Sequence, residues 1–148
     1  MERKIISFEL DGGIYGLFIE DVQEIVVLSP ITPLPIAFPD LLGIMNLKGE
    51  ILAVMDPRPP LGLNKSLPAA DSKIIVIRVG NIKVGVLVER VRTLHRVPVE
   101  LLRKPLEDSE GRSPRYIKCM VNLDEEMVMV IDIERMIRER AGRVEGDV

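Results

Sequence analysis

Alternation of apolar and polar positions runs through the chain and predicts short strands. In residues 4–10 Ile6, Phe8 and Leu10 share one face of an extended segment. Asp11-Gly12-Gly13 supplies the positive φ angles of a tight turn, and residues 14–19 return as a second strand. Glu20 and Asp21 suit the opening of a short helical turn, with Val22 and Ile25 three apart, and a third strand is expected through residues 26–28. Pro30, Pro33, Pro35 and Pro39 exclude a helix or a central strand and make residues 29–40 an extended loop. Residues 41–56 read as a second hairpin whose arms meet at Lys48-Gly49, and residues 57–72 as a linker.

The pattern then restarts. Residues 73–97 give a strand, a turn at Gly80-Asn81, a second strand and an edge into a third; residues 98–115 give a short helix and a loop. One more hairpin follows, then a helix that Asp132 can cap, with Ile133, Met136 and Ile137 as a narrow apolar stripe and a frayed end.

This restart is an internal duplication. At an offset of 69, "GLFIEDV" (residues 16–22) falls on "GVLVERV" (residues 85–91), with Gly16/Gly85, Glu20/Glu89 and Val22/Val91 identical. At an offset of 76, "MNLKGEILAVMD" (residues 45–56) falls on "VNLDEEMVMVID" (residues 121–132), matching Asn46/Asn122, Leu47/Leu123, Glu50/Glu126, Val54/Val130 and Asp56/Asp132. The repeat order is kept, and the larger second offset fits a longer middle loop. Each half holds about five short strands, which suits a small closed barrel. The expected class is therefore all-β: two pseudo-symmetric five-stranded barrels with a shared seam, short helices and a C-terminal helix. The halves are 1–66 for the first barrel and 67–148 for the second barrel with the helix.

Composition narrows the function. A chain of 148 residues with 47% hydrophobic and 29% charged residues suits one domain with an ordinary core. The net charge of −3 offers no general pull toward nucleic acid or an anionic membrane. With aromatics at 3% and no Trp, base-stacking platforms lack their material. A single cysteine, Cys119, forbids an intrachain disulfide and points to a reducing compartment, with a buried thiol expected. No apolar run is long enough for a membrane span, and the N-terminus does not read as a signal peptide, so the expected location is cytoplasmic.

Chemistry is sparse. The one histidine, His95, has no His or Cys partners for a zinc set, and no metal or cofactor is expected. Glu20 and Glu24 read as a solvated face; Asp56 and Asp132 read as turn or cap residues. No nucleophile elbow occurs, and Ser7 and His95 show no orienting partner. "GIMNLKGEILAVMDPRPPLGL" (residues 43–63) fails as a phosphate loop because Lys48 precedes Gly49, Glu50 follows and a strand comes next. The basic residues of the second half (Arg78, Lys83, Arg90, Arg92, Arg96, Arg103, Lys104, Arg112, Arg115) leave a nucleic-acid-binding barrel pair as the alternative. A chain rich in aliphatic residues and poor in chemistry otherwise points to protein docking, not to an enzyme.

The order "FEL … IYGLFIEDVQEIV", "ITPLP", then "GIMNLKGEILAVMDPRPPLGL" resembles the CheW family, adaptors that couple bacterial chemoreceptors to the histidine kinase CheA. The resemblance extends over nearly the whole chain. Its most specific parts are "VQEI" (residues 22–25) and "GIMNLKG" (residues 43–49). It implies two SH3-like barrels around a shared core in a single CheW-like domain over residues 1–148. It also implies a chemoreceptor cytoplasmic tip and the regulatory domain of a CheA-type kinase as partners, no cofactor, no nucleic acid, no membrane insertion, and recruitment to membrane receptor arrays. Ring contacts with other CheW-like domains are compatible with it. Receptor contact is implied at Val22, Gln23, Glu24, Asn46, Lys48 and Gly49, and kinase docking at an exposed apolar patch on the first barrel. Gly43, Asp56, Asn122 and Asp132 are expected as structural turn residues. Departures from the family pattern are Lys48 for the usual arginine, which loses the planar fork, Ala53 for a proline, and Asp56-Pro57-Arg58 for D-L-R. They leave a specialised array, such as one for pilus motility, beside flagellar chemotaxis. The same domain also occurs within larger CheA- and CheV-type proteins.

Overall fold

The computed structural model describes residues 1–35, 40–65 and 67–141. Ten strands form: β1 Glu2–Leu10, β2 Gly13–Phe18, β3 Val22–Val27, β4 Leu41–Leu47, β5 Glu50–Met55, β6 Lys73–Val79, β7 Ile82–Val88, β8 Arg90–Pro98, β9 Ile117–Leu123 and β10 Glu126–Ile131. A short helix, α1 Ile133–Met136, follows and runs on as a wider turn through Ile137–Ala141. The strands make two five-stranded sheets, ordered β8-β1-β2-β10-β9 (the first sheet) and β3-β6-β7-β5-β4 (the second). Each is closed by one backbone bridge between the segment beyond its first-named edge strand and its last: Arg103 to Met120, and Thr32 to Ile44. Both are thus small barrels.

The barrels do not follow the chain halves. The expected division at residue 66 is corrected by the strand order, because β1 and β2 join β8, β9 and β10, while β3, β4 and β5 join β6 and β7. The connections explain why. Only Glu89 separates β7 from β8, and only a 3₁₀ turn, Ile19–Asp21, separates β2 from β3. A single residue cannot reverse a strand, so each chain half runs on from one sheet into the other.

This exchange also explains the apolar pattern. Ile5 packs inside the first barrel, with Phe18, Val97 and Val128, while Ile6 and Phe8 face the seam. Likewise Ile74 and Val76 fill the second barrel while Ile75 and Ile77 face the seam. β1 and β6 are therefore covered on both faces, and "KIIVIRV" reads as an apolar run rather than an alternation. Ile133, Met136 and Ile137 cover the seam as expected, with Asp132 Oδ1 accepting the Arg135 N–H at 3.2 Å.

The repeated glycines have a packing reason. Gly16 and Gly85 lie in the parallel pairs β2–β10 and β7–β5. A Cβ on either would sit 2.7 Å from an isoleucine methyl, Ile5 and Ile74 respectively, which are themselves repeat-equivalent.

Several expectations shift. Residues 22–25 belong to a strand, not a helical turn, because β3 pairs antiparallel with β6. Glu20 and Glu24 therefore do not share a helix face. Gly43 lies inside β4 at a register shift, with φ +147 and Thr32 O 2.2 Å from where a Cβ would stand, so it marks the crossing of the closing segment rather than a turn. Asn122 likewise lies within β9. The linker is not all solvent-facing, since Pro57, Arg58 and Ser72 are buried. Pro39 and the expected frayed end, from residue 142, lie outside the described residues.

Candidate partner-binding site

The β4–β5 hairpin needs positive φ at both central positions of its tip, and Lys48 (φ 52) and Gly49 (φ 85) supply it. Asn46 Oδ1 accepts the Gly49 N–H at 3.0 Å and holds the turn. The tip brings Lys48 to β3, where Nζ lies 3.3 Å from Glu24 Oε2. Lys48 is 74% exposed and Glu24 30%. The other Glu24 oxygen, Oε1, is buried and accepts no hydrogen bond among the described residues. Such a carboxylate oxygen is an open acceptor.

The structure thus joins three of the expected residues, Asn46, Lys48 and Gly49, in one turn and adds Glu24 to it. Val22 stands apart, half-buried against the seam. Gln23 is exposed at a register shift between Val22 and Glu24. The strands that carry the pair also expose apolar side chains, Ile25 and Val27 on β3 and Ile51 on β5, Ile51 sitting opposite Asn46 in the hairpin. Ile25 and Val27 share the outward face of β3 by alternation.

The first barrel carries the repeat-related hairpin with a different pairing. Its β9–β10 tip is Asp124-Glu125, again with positive φ at both residues (48 and 66). Arg92 of edge strand β8 pairs with Glu126 beyond that tip. Behind this pair lies a cavity of about 90 Å³, lined by Ser7, Arg92, His95, Asp124 and Glu126 among others. Ser7 Oγ stands 2.9 Å from His95 Nε2 and 3.2 Å from the Thr93 carbonyl. Sequence reasoning missed this partner of His95. With Ser7 donating to the Thr93 carbonyl and accepting from Nε2–H, the hydroxyl proton is engaged away from the imidazole, and the pair is a satisfied buried contact, not an activated nucleophile. The repeat-equivalent positions of Ser7 and His95 are Val76 and Val26, in or against the apolar core of the second barrel.

Elsewhere the chemistry is structural. Asp56 and Arg58 form a buried pair, with Arg58 Nε on Oδ1 at 2.9 Å and Nη2 on Oδ2 at 3.0 Å. The Asp56 hydrogen bond holds the Arg58 guanidinium above its ordinary pKa. Burial raises the Cys119 thiol, which keeps it protonated. Of the basic residues that favoured nucleic acid, Lys83, Arg92, Arg112 and Arg115 are paired with Glu50, Glu126, Asp108 and Glu139. Among the described residues no group of His, Cys, Asp and Glu could hold a metal ion, and no helix is long and apolar enough to cross a membrane.

Comparison with known proteins agrees with this architecture. A chemotaxis protein CheW of Thermotoga maritima is 28% identical over 138 residues, spanning 93% of this chain and 89% of the relative. A probable chemotaxis protein CheW of Rhizobium etli shows the same identity and the same spans. The crystal structure of the scaffolding protein TtCheW from Thermoanaerobacter tengcongensis superposes with a TM-score of 0.79 at 29% identity, covering 88% of this chain and 84% of that one. The CheW-like domain model matches residues 4–141, and the chain belongs to that family.

Proposed function

We propose that this chain is a non-enzymatic adaptor of a chemosensory pathway that binds a chemoreceptor cytoplasmic tip and the regulatory domain of a CheA-type histidine kinase. The observation that carries the reading is the Glu24–Lys48 pair at a hairpin tip, with Ile25 and Val27 exposed on β3 and Ile51 exposed on β5. An exposed apolar surface beside a charged pair suits a protein partner, and Lys48, largely exposed, offers that partner a cation. Lysine in place of the family's arginine makes the contact a point charge rather than a fork, which favours a receptor with a single matching acid.

Kinase docking is assigned to an exposed apolar patch within residues 1–66, and the adaptor works in the cytoplasm, recruited to receptor arrays. The departures at Lys48, Ala53 and Pro57 leave service to a specialised array, such as one for pilus motility, beside flagellar chemotaxis. Ring contacts with other CheW-like domains are compatible with this role.

Co-elution of the chain with a CheA regulatory domain and with a receptor tip fragment tests the reading. Binding to both supports it. Binding to neither, together with salt-dependent binding to an oligonucleotide, would favour the nucleic-acid alternative.

A further inference from the structure

The duplicated glutamates Glu20 and Glu89 occupy the two places where the chain passes between sheets. They are held very differently. At the second crossover the Glu89 N–H donates to the Glu9 carbonyl at 3.1 Å. Its carboxylate accepts the Asp11 N–H and faces the buried Arg58 guanidinium at 3.8 Å. That crossover is pinned from three sides. At the first, the Glu20 carboxylate pairs with Arg3 of β1, and the turn's closing bond is Val22 N–H to the Ile19 carbonyl. The Arg3 guanidinium lies 3.8 Å from the centroid of the Phe18 ring, so one side chain holds both the end of β2 and the turn that follows it. Burial alone would raise the Glu20 carboxyl, yet its own backbone amide and Arg3 hold it below the usual carboxylate range.

The first crossover leads directly into β3, whose first three residues are Val22, Gln23 and Glu24. We propose that Arg3 is a positioning residue for the Glu24–Lys48 site: by clamping the Ile19–Asp21 turn onto Phe18 it fixes where β3 begins, and so where Glu24 meets the hairpin tip. Arg3 itself is on another barrel and pairs with Glu20, not with the site. The inference rests on the functional reading above only for the identity of what binds; the clamp is a property of the free chain. A plain surface ion pair would contribute a small, global effect. A clamp on one crossover acts locally.

Amide hydrogen exchange of the full chain separates the two. In Glu20→Gln and Arg3→Gln, exchange at residues 19–24 rises about two- to fivefold while residues 88–90 are unchanged. Arg3→Lys, which keeps the charge and the ring contact but loses the planar fork, gives a smaller rise. Unchanged exchange at residues 19–24, or an equal rise at both crossovers, overturns the clamp. A recombinant receptor tip fragment supplies the second readout: Glu20→Gln binds it at least about twofold more weakly, the factor by which the site loses its fixed geometry. Faster exchange with unaltered binding overturns the positioning role. Failure of the wild-type chain to bind the fragment removes the functional reading instead, and the exchange result then decides whether Arg3 sets the start of β3.

Discussion

Lys48 at the tip of the β4–β5 hairpin reaches Glu24 on β3, Nζ to Oε2 at 3.3 Å, across the gap between the two edge strands of the second barrel. On the first barrel Arg92 of β8 pairs instead with Glu126, the repeat counterpart of Glu50, while the counterparts of Lys48 and Glu24 are Asp124 and Thr93. The two hairpins are related by the repeat, but the cation at the tip belongs to the second barrel.

Lys48→Glu turns that pair into two facing carboxylates. The site is exposed, so stability falls by less than about 1 kcal/mol. Affinity for a receptor tip falls about tenfold, because a like charge now meets the partner's acid. Calorimetric titration beside a thermal melt checks both; a large drop in melting temperature with intact binding would make the tip merely structural.

The two repeated glycines give a paired prediction about packing. Gly16→Ala and Gly85→Ala each force a methyl against an isoleucine at a parallel strand pair. Each costs about 1–3 kcal/mol in urea denaturation, with similar values for the two. A neutral result at one site only would break the equivalence of the barrels.

Arg58→Met leaves Asp56 as a buried, uncompensated carboxylate. The expected loss is about 3–5 kcal/mol, and Asp56→Asn in the same chain recovers part of it. Equal stability of Arg58→Met and wild type would show that water reaches Asp56.

Glu125 holds φ at +66, where its repeat counterpart is Gly49. Glu125→Gly removes the left-handed strain and stabilises the chain by about 1 kcal/mol, read as a higher urea midpoint. A lower midpoint would mean that the carboxylate makes a stabilising contact.

Acid sensitivity follows from Glu139. Hydrogen bonds from Arg115 and Tyr116 pull its carboxyl down to about 2, from 4.5. A depressed carboxyl stabilises above its unfolded value, and the gain fades as pH falls from 4.5 toward 2. Glu139→Gln therefore flattens the stability profile in that window and leaves its shape near neutrality unchanged, which a pH series of thermal melts detects.

Much of this was legible in the residues. The turn chemistry of Asp11-Gly12 and Lys48-Gly49 placed both hairpins, and the repeat placed Gly16 opposite Gly85 before any geometry was known. The exchange of strands was not legible, because apolar alternation shows which face of a strand is covered and not which sheet covers it. Residues 22–25 misled for a related reason: Val22 and Ile25 are three apart, but Val22 packs against the seam while Ile25 is exposed on the other face of β3, so the spacing marks no common face. Ser7 with His95, and Arg58 with Glu89, are contacts made by the tertiary fold. His95 lies 88 residues from Ser7, beyond any local signal.

The most direct test is chemical-shift mapping of the isotope-labelled chain with a receptor tip fragment at about 100 µM, well into the range of weak signalling contacts. The account predicts shifts concentrated at Glu24, Ile25, Lys48, Gly49 and Ile51, and lost in Lys48→Glu. Shifts confined to the first barrel, or none at all, would contradict it.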